Sequence, residues 1–170
     1  MKSKIEQILK QLVGFEITKT TRSGATECLK FGTKFRNDHK GIERQIGAFA
    51  LHLQCPWRFT KDNKILVGDN DLFEQTDETG EYNEDFNWDI QGGNLRDVKL
   101  MNLLKSRGLV VKSIEVDDFG GFELAFPKNI KLKVFPTLSS KSTYSEYWRL
   151  LDNRNNESKH FVVGPLGFDE

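Results

Sequence analysis

The chain has 170 residues, 25 Lys and Arg against 25 Asp and Glu, and a mean hydropathy of −0.54. That length suits one α+β domain spanning 1–170, with a core large enough to need neither disulfide nor metal. Zero net charge argues against a general nucleic-acid binder, which needs excess Lys and Arg, and 4 Pro and 14 Gly exclude collagen-like or low-complexity classes.

At the start, Ile5, Ile8, Leu9, Leu12 and Val13 recur at helical spacing, which predicts a short amphipathic helix stopped by Gly14. No apolar run there has signal-peptide length, and no stretch reaches the roughly 20 apolar residues that cross a bilayer. Together with two isolated cysteines, Cys28 and Cys55, this points to a cytoplasmic protein without membrane association. A strand over 15–21, a turn at Arg22-Ser23-Gly24 and a returning strand over 25–31 form a predicted hairpin. Loop signals follow over 32–41.

The clearest pattern is alternation. Phe49, Leu51, Leu53, Cys55, Trp57 and Phe59 alternate with Ala48, Ala50, His52, Gln54, Pro56 and Arg58, which predicts a strand with one buried face. Seventeen residues from Glu43 to Phe59 would extend roughly 56 Å, so a bend near Gly47 and an end near Pro56 are expected. Lys61-Asp62-Asn63 turns the chain into a strand over 64–67.

Periodicity then vanishes from Gly68 to Gly93, the one long irregular stretch. A second helix is expected to begin at an Asn94 cap, with Asp97 in a capping-box-like position. Its apolar residues are Leu95, Val98, Leu100, Met101, Leu103 and Leu104, and Gly108 closes it. Strands over 109–116, 122–126, 130–135, 144–151 and 160–163 complete a meander. The expected fold is therefore α+β: a strongly curved, mainly antiparallel sheet with an N-terminal and a central helix packed on it.

No phosphate-binding loop, dinucleotide fingerprint, zinc-protease motif, nucleophile elbow or EF-hand loop occurs. His52, Gln54 and Arg58 share the polar face of the alternating run, a row suited to a carboxylate or phosphate ligand, with His52 as a base near neutral pH. Such residues also suit a strand facing water. Cys55 lies three residues from His52, hence on the opposite face, and reads as a small buried hydrophobe. Cys28, Cys55, His39, His52 and His160 match no zinc spacing. Asp69 and Asp71 lack the rest of a calcium loop and read as an acidic turn, so neither metal nor cofactor is expected.

The phrases Leu51-His52-Leu53-Gln54-Cys55-Pro56-Trp57-Arg58, Leu66-Val67-Gly68-Asp69-Asn70-Asp71-Leu72 and Glu146-Tyr147-Trp148-Arg149 resemble those of small uncharacterised bacterial proteins, including proposed immunity proteins of polymorphic toxin systems. The resemblance implies a cytoplasmic bacterial protein that binds another protein, and it assigns no catalytic residue.

Between Lys64 and Arg96 there is no Lys or Arg, while Asp69, Asp71, Glu74, Asp77, Glu78, Glu81, Glu84, Asp85 and Asp89 contribute nine acids. Removing those nine from the 25 acids leaves 16 against 25 bases, so neutrality conceals two opposed poles. Tyr82, Phe86 and Trp88 sit inside the acidic run. Rings for burial and carboxylates for steering suit a protein-binding loop. The expected partner-binding residues are Asp69, Asp71, Asp77, Glu78, Glu81, Tyr82, Glu84 and Asp85, and the expected partner is a basic protein. A protein-binding module neutralising a basic toxin is the leading expectation. A small enzyme or ligand-binding protein using His52, Gln54 and Arg58 is the alternative.

Overall fold

The computed structural model describes residues 1–106, 108–140, 144–155 and 157–169. It is an α+β structure with two α-helices and entirely antiparallel strand pairing among the described residues.

Helix α1 (Lys2–Leu9) continues into a 3-10 turn at Lys10–Leu12, and Ile5, Leu9 and Leu12 are fully buried. Val13 departs from the predicted apolar face. The backbone has already turned extended there (φ −61°, ψ 128°), which leaves its side chain exposed.

Strands β1 (Ile17–Ser23) and β2 (Thr26–Phe31) form the predicted hairpin around Gly24–Ala25. Two short strands pair before the bend: β3 (Phe35–Asn37) lies in the stretch expected as loop, and β4 (Glu43–Gln45) is the start of the run expected as strand from Glu43. Neither buries a side chain, so no alternation marks them in the sequence.

The alternating run becomes two strands. β5 (Phe49–Leu53) pairs with β2 in one sheet, and β6 (Trp57–Lys61) belongs to another. Gly47 at φ 76° supplies the expected bend, and its missing Cβ leaves room for the backbone oxygens of Phe49 and Phe31. At the crossing, the Gln54 and Cys55 amides both donate to the Tyr147 carbonyl at 3.0 Å. Phe49, Leu51, Leu53, Cys55, Trp57 and Phe59 all stay buried, so one alternating pattern feeds a core shared by two sheets.

The remaining strands are β7 (Lys64–Gly68), β8 (Ser113–Val116), β9 (Phe122–Ala125), β10 (Ile130–Val134), β11 (Trp148–Asp152), β12 (Lys159–Gly164) and β13 (Gly167–Asp169). The six-stranded sheet runs β1-β2-β5-β11-β12-β13 and the five-stranded sheet β7-β6-β10-β9-β8; neither closes into a barrel. Between them Phe122 meets Trp148 edge to face, ring centroids 5.1 Å apart, and Trp148 Nε1 donates to the Gly120 carbonyl.

Helix α2 (Leu95–Lys105) begins at the expected cap, where the Asp97 amide donates to Asn94 Oδ1 at 2.9 Å. It lies against β1 and β7, the edge strands of the two sheets. Leu95 and Leu100 are buried, Leu103 and Leu104 half-buried and Met101 exposed. No helix among the described residues is long and apolar enough to cross a membrane.

Candidate protein-binding surface

The acidic segment leaves β7 through a 3-10 turn at Asp69–Phe73 and returns at Asn94. Two buried arginines hold its ends. Arg96, fully buried on α2, reaches Asp69 at 3.1 Å, donates to the Ala25 carbonyl from both terminal nitrogens and lies over the Trp57 ring at 5.7 Å. Arg22, near the C-terminal end of β1, donates its Nε to both Asp97 oxygens at 3.0 and 3.1 Å. Its terminal nitrogens take the Trp88 and Asp89 carbonyls and the Asp89 carboxylate at 3.3 Å. A planar, permanently charged donor suits a site where several oxygens converge.

Glu27, on β2, completes this buried cluster 3.4 Å from Arg96. Burial pushes its carboxyl up to about 8, overriding the nearby arginine. Arg96 is shared with Asp69, whose own carboxyl burial also raises against the pull of Arg96. The segment and the core are therefore tied by a buried polar cluster in which Arg96 bridges Asp69 and the Glu27 carboxyl, and losing Arg96 would leave both acids without that guanidinium.

Gln75 organises the middle of the segment. Its Nε2 donates to the carbonyls of Asp77 and Glu81 at 3.0 and 2.9 Å, and its Oε1 accepts the Asn83 amide at 2.8 Å. Asp77 accepts the amides of Thr79 and Gly80, which hold its carboxyl below the usual carboxylate range. Phe73 meets Trp88 and Tyr82 meets Phe86, centroids 5.5 and 6.4 Å apart, so the rings pack within the segment rather than into the core.

Of the expected partner-binding residues, Asp69 is turned inward to Arg96, and Asp71 accepts the Gly68 amide with Lys99 at 3.8 Å. Glu78 pairs with Lys99 at 3.0 Å and Asp77 shapes its own turn. Glu81, Glu84 and Asp85 are exposed and make no ion pair among the described residues, and Tyr82 is 69% exposed beside them. The expected surface thus divides into anchoring carboxylates and a water-facing group, Glu81, Tyr82, Glu84 and Asp85.

The chain matches no family model, no curated protein and no solved structure.

His52, Gln54 and Arg58 are not brought together. His52 lies on the outer face of β5, Gln54 at the crossing donates to Glu146, and Arg58 is on β6 of the other sheet, over the Phe135 ring at 5.2 Å. The continuous row required one straight strand, and the crossing at 54–56 breaks it. Both cysteines are free thiols, and burial raises the pKa of each, Cys55 to about 12. Among the described residues no three His, Cys, Asp or Glu side chains converge as metal ligands.

Arg22, Arg96 and Gln75 escaped the sequence reading. Arg96 did leave a signal: with Leu100 four residues on, it occupies the inward stripe of α2, where a charge must find a buried partner. Gln75 left none, because its role is set by backbone groups brought to it by the loop.

Proposed function

We propose that the chain is a protein-binding module that presents Glu81, Tyr82, Glu84 and Asp85 to a basic protein. The observation that carries this reading is the anchoring: Arg22, Arg96 and Gln75 hold a segment whose outward carboxylates make no ion pair among the described residues. Ordering a loop before binding lowers the conformational entropy lost in the complex. Exposed carboxylates then steer a cationic partner, and an exposed ring supplies apolar area at the contact. Neutralisation of a basic toxin inside a bacterial cell is the form of this function that the resemblance suggests.

The test is capture from the native cell with wild-type chain and with the Glu81→Lys/Glu84→Lys/Asp85→Lys variant side by side, followed by purified binding. A basic protein that binds wild type and loses the triple variant supports the reading. A partner that binds both equally places the contact elsewhere.

A further inference from the structure

A second feature lies on the outer face of the six-stranded sheet, where the β3–β4 hairpin folds over the strands. It is a pocket of about 490 Å³, within the usual range for a small-molecule site. Ala50 on β5 and Leu151 on β11 face each other in register on its floor, with His52 one position away and His160 directly opposite Leu151. Lys30 stands beside Ala50 in the β2–β5 register, and Arg36 enters from the hairpin. The pocket's described lining includes no Asp or Glu.

Each basic group touches a neutral oxygen. Lys30 Nζ donates to the Gln45 carbonyl at 3.0 Å and makes no ion pair among the described residues, and Arg36 Nη1 donates to Ser158 Oγ at 3.2 Å. Nearby Arg149 is engaged by Glu146, which also accepts from Gln54. Burial lowers the pKa of His52, and neighbouring Arg149, His160 and Lys30 lower it further, against the pull of Glu146. A neutral imidazole beside an ammonium and a guanidinium can donate one N–H to an oxyanion and lies in a positive potential.

We propose that this pocket binds a small organic anion, its phosphate or carboxylate held by Lys30 and Arg36 with His52 donating, and its compact apolar body resting on Ala50 and Leu151. Arg22 lines the pocket and also anchors the acidic segment, but Lys30, Arg36 and His52 belong to the pocket and Glu81, Glu84 and Asp85 to the segment, so the two sites are tested by different variants.

The test is ring and methyl NMR of the full chain titrated with phenyl phosphate, benzoate, inorganic phosphate and benzyl alcohol. Saturable shifts at His52, His160 and Ala50 with phenyl phosphate or benzoate, tighter than with inorganic phosphate and absent with benzyl alcohol, are expected; whichever of the two binds tighter identifies the head group. Bound anion favours the imidazolium, so the His52 pKa rises. Lys30→Met with Arg36→Ala weakens binding at least about tenfold, equivalent to 1.4 kcal/mol. Arg36→Ala alone, on the exposed hairpin, gives the same direction if the double variant does not fold, whereas Glu81→Lys/Glu84→Lys/Asp85→Lys leaves the titration unchanged. No saturable shift at these residues, or affinity unaffected by Arg36→Ala, overturns the proposal.

Discussion

Glu27 and Arg96 face each other at 3.4 Å with both side chains almost completely removed from water. Arg96 also serves Asp69, so the arginine beside the buried Glu27 carboxyl of β2 equally supports the first turn of the acidic segment. Core charge and surface presentation are therefore one structure.

That coupling has a pH signature. The Glu27 carboxyl rises from 4.5 to about 8 on folding, so between those values the folded chain holds a proton that the unfolded chain has released. Stability contributed by the protonated form is present in full below 4.5 and is lost as pH rises toward 8, at no more than about 1.4 kcal/mol per unit. Glu27→Gln removes this component. Denaturant melts across that range should show the wild type losing stability relative to the variant as pH rises, and a constant difference would contradict the shift.

Arg22 joins Asp97, Asp89 and the Trp88 carbonyl. Arg22→Ala leaves the largely buried Asp97 with the Gly92 amide and Asn94 Nδ2 as its remaining donors among the described residues, and should cost less than the about 3–5 kcal/mol of a wholly uncompensated buried charge. It should also raise amide exchange near Trp88 and Asp89 before β2 or β5 is affected. Exchange unchanged in that segment would mean the loop is held by other contacts.

Leu53 is buried where the six-stranded sheet meets the shared core, opposite both Glu27 and Trp148. Leu53→Ala should cost about 2–5 kcal/mol in chemical denaturation. A loss below about 0.5 kcal/mol, the scale of a surface change, would mean the inner face is misassigned.

Legibility in the sequence followed local periodicity. The run from Phe49 to Phe59 announced its buried face because alternation survives a change of sheet, but it could not announce the change itself. The Gln54–Pro56 crossing depends on the Tyr147 carbonyl, which is distant in sequence. The same gap split His52 from Arg58 and hid the pocket, whose Lys30, His52, Leu151 and His160 come from four strands. The base-free interval from Lys64 to Arg96 was fully legible. Its division into anchoring and presented carboxylates was not, since Arg22 and Lys99 come from outside it.

Tyr82 and its neighbouring carboxylates should act on different steps of binding. Exposed charges steer encounter over the screening length of about 8 Å at physiological salt, whereas a buried ring holds the formed complex. Tyr82→Ala should therefore speed dissociation and leave association nearly unchanged in surface-binding kinetics. A purely associative effect would remove the ring from the contact.

The most direct measurement is the association rate of the captured basic partner across a salt series, for wild type and for Glu81→Lys/Glu84→Lys/Asp85→Lys, with thermal stability recorded for both. Wild-type association should slow steeply with salt while dissociation changes little. The triple variant should associate slowly at every salt concentration and melt as the wild type does, because those three carboxylates hold nothing in place. Association flat in salt, with the triple variant binding normally, would contradict the account and leave the acidic segment as a solvated loop.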